Sequence, residues 1–229
     1  MEGHRVFETQ DGSRSLFSER FGVSYHSKYG AWQETQHVFI EAGLRYAAVD
    51  REHVRVLDIG YGTGLNAIAS LLFARGRGVV LDYTGVDAYP VPVATLRELD
   101  YPSALAFDRK DRQLYEDLQS APWGGTTRLS PKLAVTKVRE RFENLSFSES
   151  FDVVYYDAFA PEAQPELWTP ERFASMYQTL CAGGVLVTYC AKGQVKRDMR
   201  SVGFEVERLK GPPGKREMTR ASRPLRTAG

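Results

Sequence analysis

The sequence predicts an α/β protein, a doubly wound, seven-stranded, Rossmann-like sheet preceded by an N-terminal extension. Three observations predict it. A short apolar run, Val54-Arg55-Val56-Leu57-Asp58-Ile59, ends in glycines at alternate positions, Gly60, Gly62 and Gly64, and a helix-forming segment opens at Leu65. Strand-like and amphipathic helix-like segments then alternate to about residue 202. Two last strand-like segments, joined by Gly211-Pro212-Pro213-Gly214, read as an antiparallel pair.

The elements follow in order. Residues 1–50 stand outside the alternation and form the extension, while 51–229 form the core. The extension holds an aromatic loop, Phe21-Gly22-Val23-Ser24-Tyr25-His26-Ser27-Lys28-Tyr29-Gly30-Ala31. A helix from Trp32 to about Tyr46 follows, with Thr35, Val38, Phe39 and Ala42 on one side. Strand Val54–Ile59 leads to a helix whose stripe is Leu65, Ile68, Leu72 and Phe73, ended by Gly76 or Gly78. Strand Val80–Val86 comes next, then a long connection from Ala88 to about Lys132 with helices near Val93–Leu99 and Asp111–Leu118. Connections of that length carry structure of their own or act as lids. Strands are expected at Leu133–Val138 and Phe151–Tyr156. Thr169-Pro170-Glu171 starts a helix, with a capping hydroxyl, proline at the first position and an acid at the positive end. Phe173, Met176, Tyr177 and Leu180 form its buried face, and Gly183-Gly184 ends it. Strand Val185–Tyr189, a helix with Val195, Met199 and Val202 inward, and strands Phe204–Leu209 and Glu217–Ala221 complete the count of seven.

At 229 residues the chain suits a single domain with a sizeable core, and 42% hydrophobic with 26% charged residues is ordinary for a globular protein. No apolar run approaches the roughly 18 residues that span a bilayer, and the start lacks the apolar block of a signal peptide. Cys181 and Cys190 have no metal-ligand company and read as core thiols in a reducing cytoplasm. A cytoplasmic monomer is therefore expected, with no metal and no membrane partner. The net charge of +1 hides an asymmetry. From Lys192 onward there are 11 Lys and Arg against 4 Asp and Glu, and the preceding residues are net acidic. That is the footprint of a polyanion-binding segment, or equally of a solvated helix face and tail.

The glycine spacing selects the ligand. Dinucleotide enzymes use G-x-G-x-x-G, whereas Gly60-x-Gly62-x-Gly64 fits S-adenosylmethionine-dependent methyltransferases better. Gly60, Gly62, Thr63, Gly64 and Asn66 are then expected around that cofactor. Asp87, closing the strand Val80–Val86, is placed to accept the ribose hydroxyls.

The second informative block is Asp152-Val153-Val154-Tyr155-Tyr156-Asp157-Ala158-Phe159-Ala160-Pro161. An apolar strand ending in an acid and a proline-bearing loop puts Asp157 at the carboxyl edge of the sheet, where open α/β sheets bind ligands. It is a loose variant of the Asp/Asn-Pro-Pro-aromatic loop of amine methyltransferases. Asp157 also suits a plain turn cap.

Four segments together resemble the methyltransferase part of MnmC, the bacterial enzyme that completes 5-methylaminomethyl-2-thiouridine at the tRNA wobble position. They are Gln33-Glu34-Thr35-Gln36-His37-Val38-Phe39-Ile40; Gly60 through Asn66; Tyr156-Asp157-Ala158-Phe159-Ala160-Pro161 with Leu167-Trp168-Thr169; and Ala182-Gly183-Gly184 through Gly214-Lys215-Arg216-Glu217-Met218. The glycine motif is widely shared, and the other three are more specific. The resemblance implies S-adenosylmethionine as methyl donor and, as acceptor, the amine of 5-aminomethyl-(2-thio)uridine in a tRNA anticodon loop. Asp157 would orient that amine first, and either act as its base or only orient it. Glu34 would face the cofactor. Tyr25, Tyr29 and Phe159 would stack on the uracil or simply pack, and Lys215 and Arg216 would meet phosphates. Bifunctional members continue into a flavin-dependent oxidase, so a chain ending at Gly229 is expected to carry methyl transfer alone, without flavin. One departure concerns adenine. The third core strand runs Val135-Thr136-Lys137-Val138-Arg139-Glu140 with no acid at its end, leaving Glu140 or a backbone carbonyl. Rival readings are an aminopropyltransferase, another small-amine methyltransferase, or a catalytically silent RNA-binding relative.

Overall fold

The computed structural model describes residues 3–147 and 150–225. An eight-stranded sheet forms its centre. The chain begins, however, with a small antiparallel sheet of β1 (His4–Glu8), β2 (Arg14–Ser18) and β3 (Val23–Ser24), which the sequence reading did not contain. Its strands are short, and β1 is half-buried without clean alternation, so they carry little pattern.

The β1–β2 turn starts the next helix. The residue before that helix is Gly30, which has no capping side chain. Asp11 and Ser13 substitute from the turn. Ser13 Oγ accepts from the Ala31 and Trp32 amides at 3.1 Å each, and Asp11 Oδ2 from the Gln33 amide at 3.0 Å. Three orphan donors of the first turn are thereby satisfied. The helix begins as α1 (Ala31–Glu34) and continues as a π-helix over Thr35–Arg45, where a regular helix from Trp32 to Tyr46 was expected.

Then follow β4 (His53–Ile59), α2 (Leu65–Arg77), β5 (Val80–Val86), α3 (Val93–Leu99), α4 (Tyr101–Ala104), α5 (Arg109–Ser120), β6 (Gly125–Ser130) and β7 (Leu133–Val138). After them come β8 (Phe151–Tyr156), α6 (Pro170–Thr179), β9 (Leu180–Thr188), α7 (Gly193–Ser201), β10 (Glu205–Lys210) and β11 (Glu217–Ser222). The spatial order is β10-β11-β9-β8-β4-β5-β7-β6. β9, β8, β4, β5 and β7 run parallel, while β6, β11 and β10 are antiparallel to their neighbours.

The strand count is corrected from seven to eight. The additional strand is β6, an edge segment of sequence Gly-Thr-Thr-Arg-Leu-Ser without a buried face, inside the long connection. Two further corrections concern α6. Gly183-Gly184 do not end it, because the chain turns straight into β9 at Leu180, and they lie where the β8–β9 register shifts. Thr169 precedes the helix but makes no side-chain cap.

The helix of residues 31–45, α2 and α5 cover one face of the sheet, and α6 and α7 the other. β8 is buried along its whole length, as a central parallel strand covered on both faces requires. Gly43 lets the π-helix lie on β8 and β9. A Cβ there would stand 2.9 Å from the Val187 methyl and 3.3 Å from the Tyr155 ring. No helix among the described residues is long and apolar enough to cross a membrane.

Forcing a side chain into that contact should separate helix from sheet. Gly43→Leu is expected to cost about 1–3 kcal/mol of stability, as overpacking does. Urea unfolding checks this, and an unchanged midpoint would place the helix farther from the sheet than described.

Candidate active site

β4 is followed by α2 and β5 on one side and pairs with β8 on the other, so the strand order reverses between β4 and β8. Ligands in such sheets bind beyond the carboxyl ends of strands at that reversal. Ile59 pairs with Tyr156, and the Asp157 amide donates to the Ile59 carbonyl at 2.9 Å. The glycine turn after β4 and the acid after β8 are thus neighbours by register. Gly60 has φ +99°, and a Cβ on it would stand 2.6 Å from the Asp157 carbonyl oxygen. Only glycine fits there.

A cavity of about 400 Å³ opens at this point. Gly60, Gly62, Thr63, Asn66, Asp87, Asp157, Tyr25 and Phe159 line it, eight of the residues singled out from sequence. Asp87 is held by two amides, Gly62 N–H at 2.9 Å and Tyr89 N–H at 2.8 Å, which tie the end of β5 to the turn after β4. Thr63 Oγ1 accepts from the Tyr101 hydroxyl at 2.8 Å. Asn66 Oδ1 accepts from Thr35 Oγ1 at 2.9 Å, and its Nδ2 donates to Asp157 Oδ2 at 2.8 Å.

The loop after β8 is pinned throughout. Tyr189 OH donates to the Ala158 carbonyl, Trp168 Nε1 to the Phe159 carbonyl, and the Phe159 amide to Gln164 Oε1. Phe159 packs against Tyr25 and Phe21, with ring centroids 5.0 Å apart in each case. Stacking and packing are therefore not exclusive for Tyr25 and Phe159, which touch each other and face the cavity.

The other sequence candidates lie elsewhere. Gly64 is absent from the cavity wall and begins α2. Glu34 is buried behind the wall, accepting from the Ser27 amide at 2.9 Å and from the Lys215 ammonium. Lys215 turns inward to Glu34 and lies 3.9 Å from the centre of the Tyr189 ring. Arg216 is exposed and shares a second, shallower basin with Tyr189, Lys192 and Lys215. Tyr29 is 39% exposed and packs on Gly214. Glu140 does line the cavity, bonded to the Arg141 amide and Asn144. Lys137, within β7, is buried, and its ammonium donates to the Leu118 and Ala121 carbonyls at the end of α5. Burial pushes it down to about 8.

The structure adds Arg20, Phe21, His26, Tyr89 and Gln164 to the wall. Arg20 lies 3.6 Å over the Tyr89 ring, so a residue of the turn between β2 and β3 reaches across to the end of β5. Nothing local in the sequence marks that contact. Phe21 and His26, which share the aromatic loop with Tyr25, were findable. Burial pushes His26 down to about 4, which leaves it neutral.

Four carboxylates crowd this edge. Burial, with Asp58 and Glu34 adding, pushes Asp157 well above the ordinary carboxylate range, against the Asn66 hydrogen bond and Lys215. Asp58 is pushed up to about 8, chiefly by burial, while the Tyr83 hydroxyl that donates to it pulls down. The folded state therefore retains a proton on Asp58 that the unfolded chain releases near pH 4. The stability this gives is lost as pH rises toward about 8. Among the described residues no group of His, Cys, Asp and Glu is placed to hold a metal.

The residues present fit a nucleoside-type cofactor. The cavity falls within the roughly 300–1,000 Å³ of small-molecule sites. A glycine turn opening a helix lies at its base, and Asp87 stands at the neighbouring strand end.

Comparison with known proteins agrees. Residues 115–224 match a family described as S-adenosyl-L-methionine-dependent methyltransferase. The bifunctional protein MnmC of Ralstonia nicotianae, named for tRNA 5-methylaminomethyl-2-thiouridine biosynthesis, is 32% identical over 91% of this chain and 33% of its own length. The chain thus spans about a third of the length of the curated relatives it matches. The crystal structure of MnmC2 from Aquifex aeolicus has a TM-score of 0.74 at 24% identity, covering 100% of this chain and 74% of that one. Spermidine synthase from Thermotoga maritima has 0.61 at 16%, covering 98% and 70%. Both solved structures share the fold.

Asp87→Ala is expected to weaken S-adenosylmethionine binding by on the order of 2 kcal/mol, about thirtyfold, because a carboxylate contact and the anchor of the Gly62 amide go together. Calorimetry showing equal affinity for variant and parent would remove Asp87 from the cofactor site.

Proposed function

We propose, from the premise that the chain is an S-adenosyl-L-methionine-dependent methyltransferase related to the methyltransferase part of MnmC, that it N-methylates the aminomethyl group of 5-aminomethyl-(2-thio)uridine at the tRNA wobble position. One observation carries the reading. Asp157 stands beside the glycine turn in a cavity walled by Tyr25 and Phe159, so an acceptor for an amine, aromatic faces for a base and a cofactor turn share one space. Unstacked bases of RNA loops are commonly held by aromatic side chains. The relatives are named for the biosynthesis of 5-methylaminomethyl-2-thiouridine, the nucleoside that this methylation would yield.

Gly60, Gly62 and Thr63 would hold the cofactor with Asp87, and Asn66 serves the site through Asp157. Bound S-adenosylmethionine supplies the sulfonium methyl that passes to the substrate nitrogen. The chain's own task is to present a neutral amine in line with that methyl, and orientation is the larger service. An alkylammonium with pKa near 10 costs about 4 kcal/mol to neutralise at pH 7. Asp157 accepts a hydrogen bond from the amine and fixes its lone pair. A carboxylate also favours the ammonium, yet a raised Asp157 narrows the gap between acid and amine and eases proton passage to its free oxygen. Phosphate contacts fall to exposed cations. Lys192, Lys196 and Arg220 have carboxylate partners, and Lys215 faces Glu34. Arg208, Lys210 and Arg216 are exposed without an ion pair among the described residues.

The deciding experiment incubates tRNA bearing 5-aminomethyl-2-thiouridine with the protein and S-adenosylmethionine and reads the nucleosides by mass spectrometry. One added methyl on that nucleoside is expected. Aminopropyl transfer to a free diamine, the activity named for the spermidine synthase fold neighbour, would overturn the reading.

Two further outcomes are expected. Asp157→Asn should lower kcat by 100-fold or more, the low end of roughly 10²–10⁴ for general acid–base groups, with little change in cofactor affinity. Loss of cofactor binding with tRNA binding intact would put Asp157 on the cofactor's side. Arg216→Ala should raise the KM for tRNA more than it lowers kcat, and should flatten the fall of affinity with salt. A salt dependence identical to the parent's would exclude Arg216 from phosphate contact.

A further inference from the structure

Thr35 is fully buried at the first position of the π-helix, 31 residues from its hydrogen-bond partner. A helical threonine ordinarily returns its hydroxyl proton to a carbonyl one turn back. Here the proton goes to Asn66 Oδ1 at 2.9 Å. An amide side chain offers oxygen on one side and NH₂ on the other, so fixing Oδ1 fixes where Nδ2 points. Nδ2 points to Asp157 Oδ2, at 2.8 Å. π-turns inside helices occur frequently at functional sites.

We propose that Thr35 is a positioning residue. By holding the Asn66 amide in one orientation it commits Asp157 Oδ2 to Asn66 and leaves Oδ1 for the substrate amine. This rests on the reading of Asp157 given above. Without the hydroxyl only the bond to Asp157 holds the amide, and the flipped orientation, with its oxygen toward the carboxylate, gains population. Two acceptors then oppose each other, which disfavours the charged carboxylate and raises its pKa. The other groups that bear on Asp157 are Asp58 on β4, Glu34 on α1, Lys215 on the β10–β11 turn and Tyr189 after β9. None of them is replaced by substitution at Thr35. Asp58 and Glu34 raise the carboxyl and Lys215 lowers it, and because the Asn66 side chain also bears on Asp58, the titration of Asp58 is followed in the same spectra.

The test compares Thr35→Val, which keeps the branched shape, with Thr35→Ser, which keeps the hydroxyl. The first readout needs neither cofactor nor tRNA. The Asp157 carboxyl carbon is followed by NMR against pH in protein labelled at aspartate, and assigned by its absence in Asp157→Asn. Thr35→Val is expected to move the Asp157 titration upward by about half a unit or more, and Thr35→Ser to restore it. In turnover, Thr35→Val should lower kcat about tenfold and shift the acid limb of kcat/KM upward, with cofactor affinity and the KM for tRNA within about twofold. If Thr35→Val folds poorly, Thr35→Ala carries the same comparison. An unmoved titration in Thr35→Val, or Thr35→Ser as impaired as Thr35→Val, overturns the proposal and leaves packing as the role of Thr35. Failure of the parent protein to methylate aminomethyl-tRNA overturns the substrate reading instead, and the titration still decides the role of Thr35.

Discussion

The pairing of β4 with β8 is the constraint on which the rest of the molecule depends. It is locked at one end by Asp152, buried at the start of β8. Its carboxylate takes the Arg55 amide at 2.9 Å and the Arg55 guanidinium at 3.0 and 3.1 Å, a forked contact that fixes register as well as charge. At the other end, Asp157 N–H meets the Ile59 carbonyl, over a glycine whose missing side chain allows the approach. A slip of one residue would turn Asp157 away from the turn after β4 and carry every side chain of β8 to the opposite face. The cavity, the glycine turn and the acid are thus consequences of one register.

That register gathers negative charge, and the surroundings answer it in three ways. Asp87 is met by backbone amides, Asp157 by the Asn66 amide, and Glu34 by the Lys215 ammonium and an amide. Asp58 takes the Tyr83 hydroxyl on one oxygen, with the Asn66 side chain also bearing on it, and its raised pKa leaves it largely protonated near neutrality. Burying charged carboxylates is costly, and retaining a proton on one relieves the cost. The helix of residues 31–45 contributes twice, with Glu34 receiving Lys215 and Thr35 orienting Asn66. A segment outside the strand–helix alternation therefore completes the charge arrangement of the sheet edge.

This division explains how much was legible in the sequence. Val80–Val86, Leu133–Val138 and Phe151–Tyr156 match their expected bounds because each is a β-branched and aromatic stretch between turn signals, near-continuously apolar in the central Phe151–Tyr156 and alternating in Val80–Val86. Gly60, Gly62 and Asp87 fell into one cavity because a strand–turn–helix unit is local. β6 was missed because an exposed edge strand of Gly, Thr, Arg and Ser has no face to alternate. The π-helix was missed because its buried positions Thr35, Val38 and Phe39 also suit an α-helix. Glu34 with Lys215 and Thr35 with Asn66 join residues 181 and 31 positions apart, and no local pattern encodes such distances. The resemblance marked Glu34 and Lys215 as members of the site, while their contact with each other required the fold.

The basic C-terminal segment shows why a charge count is not a charge surface. Lys196 pairs with Glu217, Arg220 with Glu207, and Lys192 with Glu162, while Arg223 donates to the carbonyls of Tyr177 and Leu180. These contacts fasten the antiparallel edge and the end of α6, so much of the excess serves the fold. Among the described residues, Lys215 is the cation of the segment that reaches Glu34, and its position on the β10–β11 turn makes that turn part of the site's electrostatics. Arg216, the next residue, faces outward. Two adjacent basic residues thus divide between an inner and an outer field. The inner charge, 31% exposed along its side chain and paired with buried Glu34, is less open to salt than the outer one, which lies within reach of screening counterions. The two neighbours thus differ in how far salt can weaken what each of them holds.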